Sequence, residues 1–161
     1  MSLSDRRLFL TSLLALGACG FAPVYGPGGV GEGLRGSVEV AAPSDRDAYD
    51  LVKQLEERLG QPNNARYLLD YTIQTRAEGV GVTPAQEITR TQLFGTVKFT
   101  LSDTSNGLSV HDGSVSSFVS YSTLGSTVST ASVERDAYRR LMVALADLLF
   151  ARLIAIAPDH P

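Results

Sequence analysis

The side chain with the plainest chemistry in this 161-residue chain is its single cysteine. Cys19 closes Leu16-Gly17-Ala18-Cys19, after Arg6, Arg7 and an apolar run from Leu8 to Leu16. A basic start, a short apolar stretch and small residues make a bacterial secretory signal peptide. The Leu-Gly-Ala-Cys ending resembles a lipobox, where the thiol takes a lipid, the cysteine becomes the first mature residue, and the residue is acylated again. Gly17 stands where Ala or Ser is commoner. The expectation is a signal peptide over 1–18 and lipidation at Cys19. The apolar run is roughly half of the ~20 residues that a membrane-spanning helix needs. Arg6-Arg7-Leu8-Phe9-Leu10 also resembles a twin-arginine export signal, but Thr11 stands where lysine is often found. Folded export and the ordinary secretory route both stay open.

Other candidate chemistry is sparse. His111-Asp112 lies among serines, yet no Gly-x-Ser-x-Gly elbow exists, and His-Asp-Gly at a strand bend reads as a turn. The glycine-rich stretch from Gly26 to Gly33 follows a linker, not a strand, so it is no phosphate cradle. With two histidines, one of them penultimate, no metal site is expected. No catalytic residue and no cofactor are expected, and the chain does not read as an enzyme. The formal charge is −3, becoming −4 when Asp5, Arg6 and Arg7 leave. That balance argues against nucleic acid as a partner. A sole cysteine carrying lipid leaves no internal disulfide, so packing alone must hold the fold.

The elements that must position any remaining site follow in order. Residues 19–33 form the lipidated N-terminus and a Gly/Pro-rich leash. Phe21 and Tyr25 are apolar for a linker and are candidates for partner contact. The domain occupies 34–157, and 158–161 is a tail. Gly36 to Ala42 reads as a short strand stopped by Pro43. A helix then follows, with Ser44 as N-cap, Tyr49, Val52, Leu55 and Leu59 at helical spacing, and Gly60 and Pro62 at its end. Its polar face, Arg46, Asp50, Lys53, Glu57 and Arg58, reads as solvated.

From Arg66 the period becomes two, with Tyr67, Leu69, Tyr71 and Ile73 on one face. Residues 79–86 read as a flexible connection. Ile88 to Asp103 alternates again, with Leu93, Val97, Phe99 and Leu101 inward. Ser105-Asn106-Gly107 signals a hairpin turn. Leu108 to about Thr123 is the fourth strand, with a bulge expected at Asp112-Gly113. A Ser/Thr-rich stretch leads to a long helix whose stripe is Val133, Ala137, Leu141, Ala144, Leu145, Leu148, Arg152 and Ile156. Asp147 and Arg152 argue against a membrane span. Strand, helix, three strands, helix implies an α+β fold, a mixed four-stranded sheet with both helices on one face.

That packing leaves the opposite face uncovered. It carries Ser, Thr and Gln together with Arg66, Arg76, Arg90, Lys98, Phe94 and Phe118. With the hairpin centred near residues 82 to 83, Arg76 faces Arg90 and Arg66 faces Lys98. Like charges across a ladder repel. Either neighbouring Asp70, Glu78 and Glu87 neutralise them or the register is off by two, or the paired cations receive an anion such as a phosphate.

Cys19-Gly20-Phe21-Ala22-Pro23-Val24-Tyr25-Gly26 resembles the Cys-Gly-Phe-x-Pro-(Leu/Val)-Tyr opening of the lipopolysaccharide-assembly lipoprotein family LptE. Phe99-Thr100-Leu101-Ser102-Asp103 with its turn and following strand, Tyr121, and Ala137-Tyr138-Arg139-Arg140-Leu141 extend the resemblance over the mature chain. It implies a non-enzymatic outer-membrane lipoprotein on the periplasmic side. Such a protein plugs the β-barrel LptD, assists its assembly, and aids lipopolysaccharide delivery. LptD and lipopolysaccharide are then the implied partners, and the membrane is reached through the N-terminal lipid. Arg66, Arg76, Arg90 and Lys98 are candidate lipopolysaccharide contacts; Phe21, Tyr25, Phe94 and Phe118 are candidate partner contacts. The competing reading is a generic structural or ligand-binding lipoprotein without a barrel partner.

Overall fold

The computed structural model describes residues 33–62, 64–82, 88–124 and 127–157. The signal peptide, Cys19, Phe21, Tyr25 and the tail lie outside the described residues. The elements are β1 (Val38–Val40), α1 (Arg46–Leu59), β2 (Tyr67–Val82), β3 (Ile88–Asp103), β4 (Ser109–Ser122) and α2 (Thr127–Ile156). The sheet order is β1-β2-β3-β4. β1 runs parallel to β2, and the other two pairings are antiparallel. This is the α+β class and element order that the periodicity implies.

Odd-numbered residues of β2 and β3 point inward. Leu69, Leu93 and Val97 are fully buried, in one core with Leu51, Leu55 and Leu59 of α1 and Leu141, Leu145, Leu149 and Leu153 of α2. Burying each such leucine contributes about 1.5–3 kcal/mol relative to exposure. Gly95 sits in the inward row, and a Cβ there would lie 2.8 Å from Leu145 Cδ1 and 2.9 Å from Leu141 Cδ2. The absent side chain is what lets α2 approach β3 so closely.

Several local expectations change. The N-cap of α1 is Asp45, whose Oδ1 accepts from the Ala48 N–H at 2.8 Å, one residue beyond Ser44. The buried stripe is Ala48, Leu51, Val52, Leu55 and Leu59, while Tyr49 is 58% exposed. A helix wedged against both β1 and α2 buries a stripe broader than Tyr49 could share. Arg58 is not simply solvated: it forms an ion pair with Asp147 of α2 and lies 5.8 Å from the Phe150 ring centroid. α2 starts at Thr127, earlier than Val133, and turns a different arc inward. Met142, Ala146 and Phe150 are buried, whereas Val133 and Leu148 and Arg152 are exposed. Contact with α1 as well as with the sheet widens and rotates the buried arc. No helix among the described residues is long and apolar enough to cross a membrane.

The turn between β3 and β4 forms as its sequence requires. Gly107 takes φ +70°, a left-handed conformation that glycine adopts freely, and its N–H donates to Asp103 O at 2.8 Å. The bulge is displaced from Asp112-Gly113. Pairing shifts between Leu101↔His111 and Ser102↔Ser109, so Val110 is the extra residue. His111 to Gly113 are ordinary strand, not a turn, and the His111 ring lies 6.1 Å from that of Phe99.

Candidate functional site

The β2–β3 ladder corrects the expected register. β2 continues through Gly79-Val80-Gly81-Val82 instead of ending before it, so the hairpin centre moves toward residue 85. Arg76 then stands opposite Phe94, Lys98 opposite Thr72, and Arg90 opposite Gly81. Arg66 precedes β2 and has no place in the ladder. The pairs Arg76/Arg90 and Arg66/Lys98 do not exist. The physical reason lies in the glycines. They permit irregular pairing, seen here as register shifts between Gly79 and Gly81 and between Gly81 and Val82, so they bend the strand without stopping it.

The uncovered face is built from even-numbered residues in rows across three strands. From the base upward these are Asp70–Thr100–Asp112, Thr72–Lys98–Ser114, Gln74–Thr96–Ser116, Arg76–Phe94–Phe118 and Glu78–Gln92–Ser120. Arg90 beside Ser122 completes the upper end. Thr96 and Ser116 hydroxyls lie 2.9 Å apart, one donating to the other across the strands.

Two regions of unlike chemistry share this face. At the base, a shallow groove of about 640 Å³ is lined by Asp70, Thr72, Lys98, Thr100, Asp112 and Ser114 among others. Lys98 there lies in the row next to two carboxylates. Higher up, the Phe94 and Phe118 rings lie 5.9 Å apart, and the Arg76 guanidinium sits 5.5 Å from the Phe94 centroid. Glu78 Oε1 holds Arg76 Nη1 at 2.7 Å, and Phe118 is 58% exposed. The structure thus brings together three of the sequence-derived candidates, Arg76, Phe94 and Phe118. Arg90 projects from the same strand and face four residues before Phe94.

Lys98 and Arg66 stand apart from that cluster. A strand rises about 3.3 Å per residue, so the Lys98 row is ~13 Å below the Arg76 row. Arg66 lies beyond the base, with its guanidinium 5.2 Å from the Tyr67 centroid and close enough to Asp103 to favour that carboxylate's charge. The basic residues form a line along the sheet instead of two bidentate pairs. Asp70, read from sequence only as a neutralising neighbour, and Asp112, expected at a bulge, are the residues that make the base unlike the top. The outward parity of Asp70 was visible in the alternation; Asp112 joined the same row only because the bulge falls at Val110 instead.

Residues 36–153 match the family described as LptE, lipopolysaccharide-assembly. No curated protein matches the chain. Among solved structures, a proposed lipoprotein from Caulobacter crescentus is similar at TM-score 0.67 and 23% identity, covering 83% of this chain and 98% of its own. Rare lipoprotein B from Shewanella oneidensis is similar at TM-score 0.60 and 10% identity, covering 76% and 96%. A minor lipoprotein from Acinetobacter baumannii is similar at TM-score 0.58 and 22% identity, covering 73% and 88%. These structures share the fold.

Proposed function

The chain belongs to the LptE family of lipopolysaccharide-assembly proteins, and on that premise we propose that it is a lipid-anchored outer-membrane lipoprotein that plugs an LptD-like β-barrel. In this role it assists assembly of the barrel and aids lipopolysaccharide delivery to the outer leaflet. The role is non-enzymatic: binding and shape do the work. The 1–18 signal peptide, a lipid on Cys19 and the 19–33 leash deliver the 34–157 domain to that site, and more than one acyl chain makes the anchoring stable.

One observation carries the reading. Both helices pack on the odd-numbered face of the sheet, which leaves the whole even-numbered face of β2, β3 and β4 without cover among the described residues. That face is rich in Ser, Thr and Gln, a surface suited to the polar lumen of a large barrel. Its upper half combines two phenylalanine rings with Arg76 and Arg90, a combination suited to a molecule that is both anionic and apolar. Aromatic and arginine side chains together are typical anchors of an interface. Lys98, four residues along β3 from Phe94, and Arg66, beyond the base of the sheet, lie away from the two rings and contribute less to binding such a molecule than Arg76 and Arg90.

The test is the double substitution Arg76→Glu with Arg90→Glu. It should weaken lipopolysaccharide binding by roughly tenfold or more, since charge-assisted contacts are each worth about 1.5–3 kcal/mol. The loss should be largest at low salt, where charge acts furthest, with the circular dichroism spectrum unchanged. Binding equal to wild type at low salt would contradict the assignment of these residues.

A further inference from the structure

The upper cluster of the open face holds a carboxylate that an anionic ligand has to displace. Glu78 and Arg76 are both even-numbered residues of β2 and project from the uncovered face, two positions apart. Glu78 pairs with Gln92 across the ladder, and Arg90 stands two residues before Gln92 on β3. Diagonal neighbours of that kind lie about 7–8 Å apart, within reach of long side chains. Glu78 therefore stands between the two arginines, one row above Arg76 and one row below Arg90. Its Oε1 accepts from Arg76 Nη1 at 2.7 Å. The Arg76 guanidinium also lies 5.5 Å from the Phe94 centroid, a cation–π contact that does not depend on Glu78.

A carboxylate and a phosphate offer a guanidinium the same thing, oxygens that accept its planar N–H donors. Glu78 thus occupies on Arg76 a position that a phosphate oxygen would take, and its charge cancels one of the two positive charges at that end of the sheet. The side chains of Arg76 and Glu78 are 70% and 43% exposed, so their ion pair is weak and open to exchange. A carrier that hands its ligand on must also release it. Release is easier when Arg76 passes from the departing anion straight to one already beside it. We propose that Glu78 is an internal stand-in for phosphate. It holds Arg76 when no ligand is bound, yields it when a phosphate-bearing amphiphile docks on Phe94 and Phe118, and limits how tightly that ligand is kept. This inference rests on the lipopolysaccharide reading of the upper cluster.

The test measures binding of lipopolysaccharide, and of the same lipopolysaccharide stripped of its phosphates, to the full-length chain in detergent at low salt. Glu78→Gln keeps the shape of the side chain and removes its charge. An exposed ion pair is worth up to about 1 kcal/mol, which is about fivefold in a binding constant. Glu78→Gln should therefore bind intact lipopolysaccharide about fivefold more tightly, with the gain appearing mainly as slower release. Binding of the dephosphorylated form should not change. In an Arg76→Gln background the same substitution should gain much less, because the guanidinium it sets free is gone. The proposal is overturned if Glu78→Gln binds intact lipopolysaccharide no better than wild type; weaker binding would mean that Glu78 positions Arg76 instead of competing for it. It is also overturned if the gain is equal for the dephosphorylated form, or survives undiminished beside Arg76→Gln. Binding by wild type without a gain in Glu78→Gln removes this inference alone, whereas no binding by either protein contradicts the lipopolysaccharide reading on which it stands.

Discussion

Asp103 shows how one side chain ties a turn together. Its Oδ1 accepts from the Ser105 hydroxyl and from the Ser105 N–H at 2.8 Å, and these hydrogen bonds hold its carboxyl below the ordinary aspartate range. A carboxylate whose pKa is lowered on folding stabilises the fold fully above the unfolded value, and that contribution is lost as the pH falls through the folded one. Asp136 acts in the same direction because Arg139 and Arg140 both bind it. Asp47 acts oppositely, since burial and the nearby Asp45 and Asp50 raise its pKa and acidification relieves that penalty. Asp103→Asn should therefore flatten the fall in stability between about pH 5 and pH 2. Urea midpoints measured across that range check it, and an unaltered slope would contradict the role given to Ser105. Ser105-Asn106-Gly107 announced this turn in the sequence because its mechanism is local. The helix cap was shifted by one residue because Ser44 and Asp45 are both competent caps, and only the backbone decides between them.

At the level of elements, the fit of α2 onto β3 depends on Gly95. Putting a branched side chain there forces Leu141 and Leu145 away, and overpacking of this kind costs about 1–3 kcal/mol. Gly95→Val should lower stability by that amount in denaturant titration, and a variant as stable as wild type would show that α2 can move aside cheaply. The order of elements, their faces and the mixed sheet were legible because periods of 3.6 and 2 alternate cleanly from Asp45 to Ser122. The register was not. Gly79 and Gly81 resemble chain breakers, yet β3 supplies partners as far as Ile88, and cross-strand pairing outweighs weak local propensity. The four to six places by which the opposed residues shift decide the site. With them Arg76 meets Phe94, and the supposed cation pairs disappear. Nor could the sequence foresee Arg58 reaching Asp147, because that contact joins two helices far apart in the chain. Being partly exposed, the pair adds only about 0–1 kcal/mol.

The whole molecule is a two-layer domain, closed by helices on one side and open on the other. In a free-standing domain an open face with Phe118 at 58% exposure is costly to keep wet. Inside a barrel the same face finds polar partners for its hydroxyls and cover for its rings. On the proposed reading, a lipid on Cys19 and the leash would set where the domain is delivered, and the open sheet face would set what it touches. The most direct measurement is purification of the full-length lipoprotein from the detergent-solubilised cell envelope. The predicted result is recovery of a large β-barrel protein in one-to-one ratio, with much less recovered when Phe94→Ser and Phe118→Ser remove both rings from the open face. Recovery of the lipoprotein with no barrel protein, from membranes that contain one, would contradict the plug.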